Sequence, residues 1–170
     1  MNNQHTTQTL SYYNQNAAQF SNSTQSLDFS SVQDKFLSFL QPQAHILDFG
    51  CGPGRDTKYF LDHGFRTDAI DGSEEFCRIA SEYTGIPVKQ MLFRELDVSE
   101  EYDGIWACSS ILHSTYDELK DILKKLARAL KKEGILYASF KYGDFEGIRN
   151  GRYFIDMTED KLQKILQETD

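Results

Sequence analysis

From Pro42 onward, short apolar runs alternate with segments whose apolar residues recur at helical spacing. That alternation predicts an α/β domain, a parallel sheet covered on both faces by helices. His45–Phe49 reads as a strand entering Gly50, Gly52 and Gly54, and a helix over 55–63 follows, closed by Gly64. A second strand falls at 66–70, and Ser73 caps a helix carrying Phe76, Ile79, Ala80 and Tyr83. Gly85 and Pro87 separate it from a third strand at 88–92, and 103–108 makes a fourth. Thr115 and Glu118 fit a capping box ahead of the clearest helix, whose stripe is Leu119, Ile122, Leu123, Leu126, Ala127 and Leu130. Gly134 ends that helix, and the apolar run 135–140 predicts a fifth strand buried on both faces. A glycine-punctuated loop leads to Met157, and Thr158 opens a last helix with Glu159 and Asp160 in its first turn.

The stretch before Pro42 has another character. From Asn2 to Ser26 the only titratable group of acid or base is His5, and Asn, Gln, Ser and Thr dominate. Residues 1–27 therefore read as a polar arm whose first nine residues are disordered, since such a composition buries little apolar surface. Within it, Leu10, Tyr12, Tyr13, Ala17, Ala18 and Phe20 predict a helical turn or two that docks as a lid. The folded domain is expected over 28–170, opening with a helix at 28–40 that carries Val32, Phe36, Phe39 and Leu40.

Length and charge narrow the class. The chain has 170 residues, enough for one domain, and 18 Lys and Arg against 26 Asp and Glu leave a net charge of −8. No cationic surface is available for phosphates, so no nucleic acid partner is expected. No apolar run approaches the ~18 residues of a membrane span, so no membrane partner is expected either. Cys51, Cys77 and Cys108 are odd in number and far apart. They suggest neither a disulfide framework nor a metal site, and they fit a reducing cytoplasm.

The segment ILDFGCGPGRDT, 46–57, places three glycines between a strand and a helix. The backbone can turn sharply there, and a ligand can approach it without an intervening side chain. Asp71 follows at the end of the second strand, placed to accept hydrogen bonds from both ribose hydroxyls of an adenosine. Dinucleotide sites favour GxGxxG, with a pyrophosphate on the helix N-terminus. Here the spacing is GxGxG, and Asp48 precedes Gly50, a charge that repels a pyrophosphate and welcomes an amino group. S-adenosylmethionine has that amino group and no phosphate, whereas an NAD-dependent oxidoreductase is the alternative enzyme.

ILDFGCGPG, AIDGS, YDGIWACSSILH and GILYASFKYG resemble, in order and spacing, the motifs of class I S-adenosylmethionine-dependent methyltransferases. YYNQNAAQF, GRDT and FKYG are more particularly similar to the tellurite-resistance (TehB-like) small-molecule branch. The resemblance implies a Rossmann-like, mostly parallel sheet of order 3-2-1-4-5 and methyl transfer to a small-molecule acceptor. It also implies that Asp48, Gly50, Cys51, Gly52 and Gly54 line the methionine part of the cofactor. By the same likeness Asp71 holds the ribose, Gly72 and Ser73 flank it, and Cys108 and Ser109 lie beneath the cofactor.

Two departures stand out. Where many members carry an acid after the third strand, this chain has Met91, Leu92 and Phe93, so apolar groups are expected to sandwich the adenine. After the last helix no residues remain for the family's closing β-hairpin, which implies a truncated chain or a degenerate sheet edge. The edge at 135–140 is then covered by the 144–157 loop or by a second copy in a symmetric homodimer. A noncatalytic cofactor-binding or interaction module stays open for this reason.

In-line methyl transfer needs positioning more than a base. His113 is the best candidate base for a protonated acceptor, against a loop histidine bonded to backbone. Arg55 can reach a cofactor carboxylate or pair with Asp56 or Asp28. Arg149 and Arg152 can clamp an anion, or pair with Asp144, Glu146 and Asp156. Tyr12, Tyr13 and Phe20 are the lid aromatics, with Tyr13 toward the cofactor.

Overall fold

A computed structural model describes residues 4–169. Five parallel strands, β1 (His45–Phe49), β2 (Arg66–Asp71), β3 (Lys89–Gln90), β4 (Tyr102–Ala107) and β5 (Leu130–Ala138), form a sheet of order β3-β2-β1-β4-β5. The helices are α1 (Gln4–Thr24), α2 (Ser30–Leu37), α3 (Arg55–Asp62), α4 (Glu74–Thr84), α5 (Tyr116–Ala129) and α6 (Glu159–Gln167). None of them is long and apolar enough to cross a membrane.

Alternation along the central strands sorts the core into two layers. Ile46 and Trp106 face α2 and α3, where Phe36, Leu37 and Phe60 meet them. Leu47, Phe49, Ile105 and Ala107 face the opposite way, onto the Leu119, Ile122, Leu123 and Leu126 stripe of α5 and Ile165 of α6. The pleat puts successive side chains on opposite faces, so strands buried on both sides read as continuous apolar runs. The capping box at α5 is formed: Thr115 Oγ1 accepts from the Glu118 amide while Glu118 accepts from the Thr115 amide at 2.9 Å.

Four expectations are corrected. Residues 4–9, expected to be disordered, belong to α1, while residues 1–3 of that call lie outside the described residues. The helix is held by docking, since the residues it buries are Thr9, Ala17 and Ser21 and not a broad apolar stripe. The loop after β5 contains an antiparallel hairpin, β6 (Glu146–Arg149) and β7 (Arg152–Ile155), separate from the main sheet. β3 shortens to two residues, because the chain turns into a 3₁₀ segment at Phe93–Glu95. Finally, β5 is half-buried where burial on both faces was expected, and it begins at Leu130 and not after Gly134. Its outer side carries no further strand among the described residues, so its backbone forms the sheet edge.

Candidate active site

A cavity of about 1280 Å³ opens at the C-terminal ends of β1, β2 and β4, the place where open α/β sheets bind ligands. Its floor is the glycine loop. The Gly50 and Cys51 amides donate to Ile70 O at 3.0 Å each, which ties the end of β1 to β2. Ser110 Oγ donates to Phe49 O at 2.6 Å and packs so close that a Cβ on Gly50 would lie 2.4 Å from the Ser110 Cβ. Gly52 is the opposite case, with nothing within 4 Å of where its Cβ would be.

Asp71 closes this loop from the side. Its carboxylate accepts from the Gly52 amide at 2.9 Å and the Ser73 amide at 2.8 Å. Burial pushes it up to about 6, against the lowering by those backbone donors. A carboxylate accepts about four hydrogen bonds, so Asp71 keeps acceptor capacity toward the cavity it lines.

Beneath the loop lies a second layer of acids. Asp48 accepts from Thr57 Oγ1 at 2.6 Å and is buried, which together with Asp56 and Asp71 pushes its carboxyl well above the usual range. Asp56 accepts from Gln33 Nε2 at 2.7 Å, Trp106 Nε1 at 2.8 Å, and Arg55 Nε at 2.8 Å and Nη2 at 3.0 Å. The Arg55 guanidinium, stacked 4.7 Å from the Phe29 ring, is thereby neutralised at the cavity wall, paired with Asp56 and not Asp28.

Burial pushes the thiols up: Cys51 well above its ordinary value, Cys77 to about 12 and Cys108 to about 11. At neutral pH they remain thiols, poor nucleophiles and poor metal ligands.

The lid candidate forms one wall. Tyr13 on α1 contacts the Phe20, Phe76 and His113 rings at centroid distances of 5.6, 5.4 and 5.4 Å. Asn14 Oδ1 accepts from Ser73 Oγ at 2.6 Å, Thr9 Oγ1 accepts from the Tyr153 amide at 3.0 Å, and His5 meets Glu118 at 2.9 Å. Arg149 pairs with Asp156 at 2.6 Å, whereas Arg152 stacks on Tyr12 and forms no ion pair among the described residues.

Of the residues singled out in the sequence, Tyr13, Gly50, Cys51, Gly52, Arg55, Asp71, Gly72, Met91, Phe93, Cys108, Ser109 and His113 line the cavity. Asp48, Gly54 and Ser73 sit behind it, supporting the loop and the start of α4. Leu10 of the expected lid cluster and Leu92 of the Met91–Phe93 stretch line it too, as do Phe76 and Ser110, which had been given no role in the site. Those two lie within three residues of the motif positions Ser73 and Ser109, which was the available signal.

Residues 46–134, more than half of the chain, match a family model described as a methyltransferase domain. The chain is 28% identical over 99 residues to malonyl-[acyl-carrier protein] O-methyltransferase of Enterobacter lignolyticus (strain SCF1), covering 55% of this chain and 37% of that protein. It is 36% identical over 98 residues to N-terminal Xaa-Pro-Lys N-methyltransferase 1 of Danio rerio, covering 53% and 44%. The chain thus spans less than half the length of these curated relatives. Among solved structures it is similar to Burkholderia thailandensis 1,6-didemethyltoxoflavin-N1-methyltransferase with bound 1,6-didemethyltoxoflavin and S-adenosylhomocysteine. The TM-score is 0.68 at 25% identity, over 82% of this chain and 65% of that one. Magnesium protoporphyrin IX methyltransferase from Synechocystis PCC 6803 with bound S-adenosylmethionine shares the fold, at TM-score 0.66 and 18% identity over 82% and 65% of the chains. With the glycine loop, the acid at the end of β2 and the sheet order in agreement, the chain belongs to the methyltransferase domain family.

Proposed function

We propose that this chain binds S-adenosylmethionine in the cavity above β1, β2 and β4 and transfers its methyl group to a small-molecule acceptor by in-line displacement. The observation that carries the reading is the pairing of Gly52 and Asp71: a glycine with open space where a side chain would stand, bonded to a carboxylate that lines the same cavity. The donor set fits the cofactor. Arg55, the cation next to the glycine loop, is neutralised by Asp56, and Asp71 suits ribose hydroxyls.

S-adenosylmethionine supplies a methyl group already activated as a sulfonium. The chain holds and orients. Asp71 grips the ribose, Met91 and Phe93 flank the adenine, and the Phe93 ring is kept in place by stacking on Phe49 at 4.5 Å. The loop from Gly50 to Gly54, braced by Asp48 and Ser73, carries the methionine end, and α1 excludes water from above.

The small-molecule acceptor is supported by the similar 1,6-didemethyltoxoflavin-N1-methyltransferase, solved with bound 1,6-didemethyltoxoflavin. The YYNQNAAQF and FKYG segments favour the tellurite-resistance branch. A net charge of −8 disfavours nucleic acid, and three free cysteines favour the cytoplasm. Calorimetry with S-adenosylhomocysteine tests the reading: binding is expected in the wild type and strongly weakened in Asp71→Ala. Absence of binding in folded wild-type protein overturns it.

A further inference from the structure

The Tyr13 hydroxyl is held between His113 and Arg152, and the directions of its hydrogen bonds are fixed. Nδ1 of His113 lies 2.6 Å from the backbone carbonyl of Tyr153. A carbonyl only accepts, so Nδ1 carries the ring proton and Nε2 of the neutral ring keeps its lone pair. Tyr13 Oη lies 2.8 Å from that Nε2, so the phenol proton points there. Arg152 Nη1 donates to the same oxygen at 3.2 Å. The phenol oxygen has committed its one proton and one lone pair. Its second lone pair has no partner among the described residues, and both Tyr13 and His113 line the cavity.

We propose that Tyr13 takes the proton of the methyl acceptor while handing its own to His113, and that the acceptor is a weakly basic X–H group, a phenolic or enolic hydroxyl or a heteroaromatic N–H. This rests on the methyl-transfer reading above. As the acceptor heteroatom bonds to the methyl carbon, the carbon–sulfur bond breaks and its electron pair stays on sulfur. The X–H proton moves to Tyr13 Oη, the Tyr13 proton moves to His113 Nε2, and the positive charge leaves the sulfonium for the imidazole, which then returns its Nε2 proton through Tyr13 Oη to solvent while Nδ1 keeps its bond to Tyr153 O.

The surroundings match this task. Burial, followed by the positive charges of Arg152 and Lys141, holds His113 down at about 4, while its bond to Tyr153 O opposes them. The ring is therefore neutral and ready to accept throughout the neutral range, and it gives the proton up readily. So weak a base takes protons only from strongly acidic species. A hydroxyl or heteroaromatic N–H becomes such a species as it is methylated, whereas an alkyl ammonium near about 10 does not. His113 acts through Tyr13, and Arg152 is a positioning residue for the same oxygen.

Two measurements decide the proposal. Nitrogen-15 NMR of the whole protein is expected to show His113 protonated at Nδ1 and bare at Nε2 at pH 7, titrating near about 4. A proton on Nε2 at pH 7, or an unshifted titration, overturns the relay whatever the substrate. In the second, thioether formation from S-adenosylmethionine is followed with catechol, benzimidazole and phenethylamine. Catechol or benzimidazole should turn over, with a loss of about 10²- to 10⁴-fold in both Tyr13→Phe and His113→Asn at saturating S-adenosylmethionine. The wild-type rate should be flat above about pH 5 and fall through about pH 4, and His113→Asn should lose that fall. Preference for phenethylamine, no turnover of any probe by protein that binds S-adenosylhomocysteine, or full activity in Tyr13→Phe overturns the proposal. Failure of the wild type to bind S-adenosylhomocysteine instead removes the reading beneath it.

Discussion

The indole N–H of Trp106 donates to Asp56 Oδ2 at 2.8 Å, joining β4 to the first turn of α3 inside the core. Trp106 is fully buried, and Asp56 also receives Gln33 and Arg55, so one carboxylate answers donors from two helices and a strand. Asp56→Ala leaves those donors unpaired and the Arg55 charge without its partner. A loss of about 3–5 kcal/mol is expected in denaturant unfolding. A change within ~0.5 kcal/mol shows that the hub is dispensable.

The two loop glycines should respond differently to the same change. Gly50→Ala puts a Cβ 2.4 Å from Ser110 at a φ of +83°, and should destabilise the fold and abolish cofactor binding together. Gly52→Ala meets no protein atom, so its stability cost should stay near ~1 kcal/mol for the positive φ while affinity for S-adenosylhomocysteine falls much further. Thermal melts with and without the ligand separate the two.

Asp71 ties stability to pH. Its folded value of about 6 lies above the unfolded one, so the ionised form is penalised by folding: the contribution is fully present below pH ~4 and is lost as pH rises through ~6. The difference amounts to about 3 kcal/mol, and Asp71→Asn should flatten that part of the stability profile. Ligand affinity should run the other way, weakening below pH ~6 as the acceptor is protonated. Parallel melts and calorimetry at pH 5 and 7.5 check both signs.

Asn14 connects the lid helix to the cap of α4. Asn14→Ala removes the acceptor for Ser73 Oγ, which itself receives the Phe76 amide at 3.2 Å. A cost of about 1 kcal/mol is expected, with faster amide exchange across α1. In the wild type, S-adenosylhomocysteine should slow exchange over 10–20; equal exchange with and without it reduces α1 to static packing.

The edge of β5 is a candidate for pairing with a second copy, since strands left open invite it. Light scattering should show a concentration-dependent dimer with slow exchange over 135–140. A monomer at tens of micromolar with fast exchange there shows an edge that is tolerated.

The alternation of strand and helix was legible because each central strand is buried on both sides and writes itself as an apolar run. The glycine loop, to which Asp71 is bonded, was legible because a tight strand-to-helix turn with positive φ leaves glycines at fixed spacing. α1 was legible only in part: its middle, 10–20, read as a helical turn or two, but its full length did not, because the buried positions Thr9, Ala17 and Ser21 are small or polar and leave no stripe. The hairpin after β5 did leave a signal. Asn150 and Gly151 both take positive φ, +50° and +78°, the Asn-Gly turn that joins two-residue hairpins, but the charged and aromatic residues around it read as loop. The Tyr13–His113 pair was beyond reach, because partners 100 positions apart meet only through the fold.

Helix α1 is fastened at four places: to the cap of α4 through Asn14, to β7 through Thr9, to α5 through His5 and to the turn at Ile111–His113 through Tyr13. Releasing one fastening leaves the others closed, so the helix does not fray open from one end. Release of this wall is then a single cooperative event, and capture of a ligand that enters past α1 should run no faster than that event. Its observed rate should climb with ligand concentration and then level off, the plateau reporting how often the whole helix lets go at once.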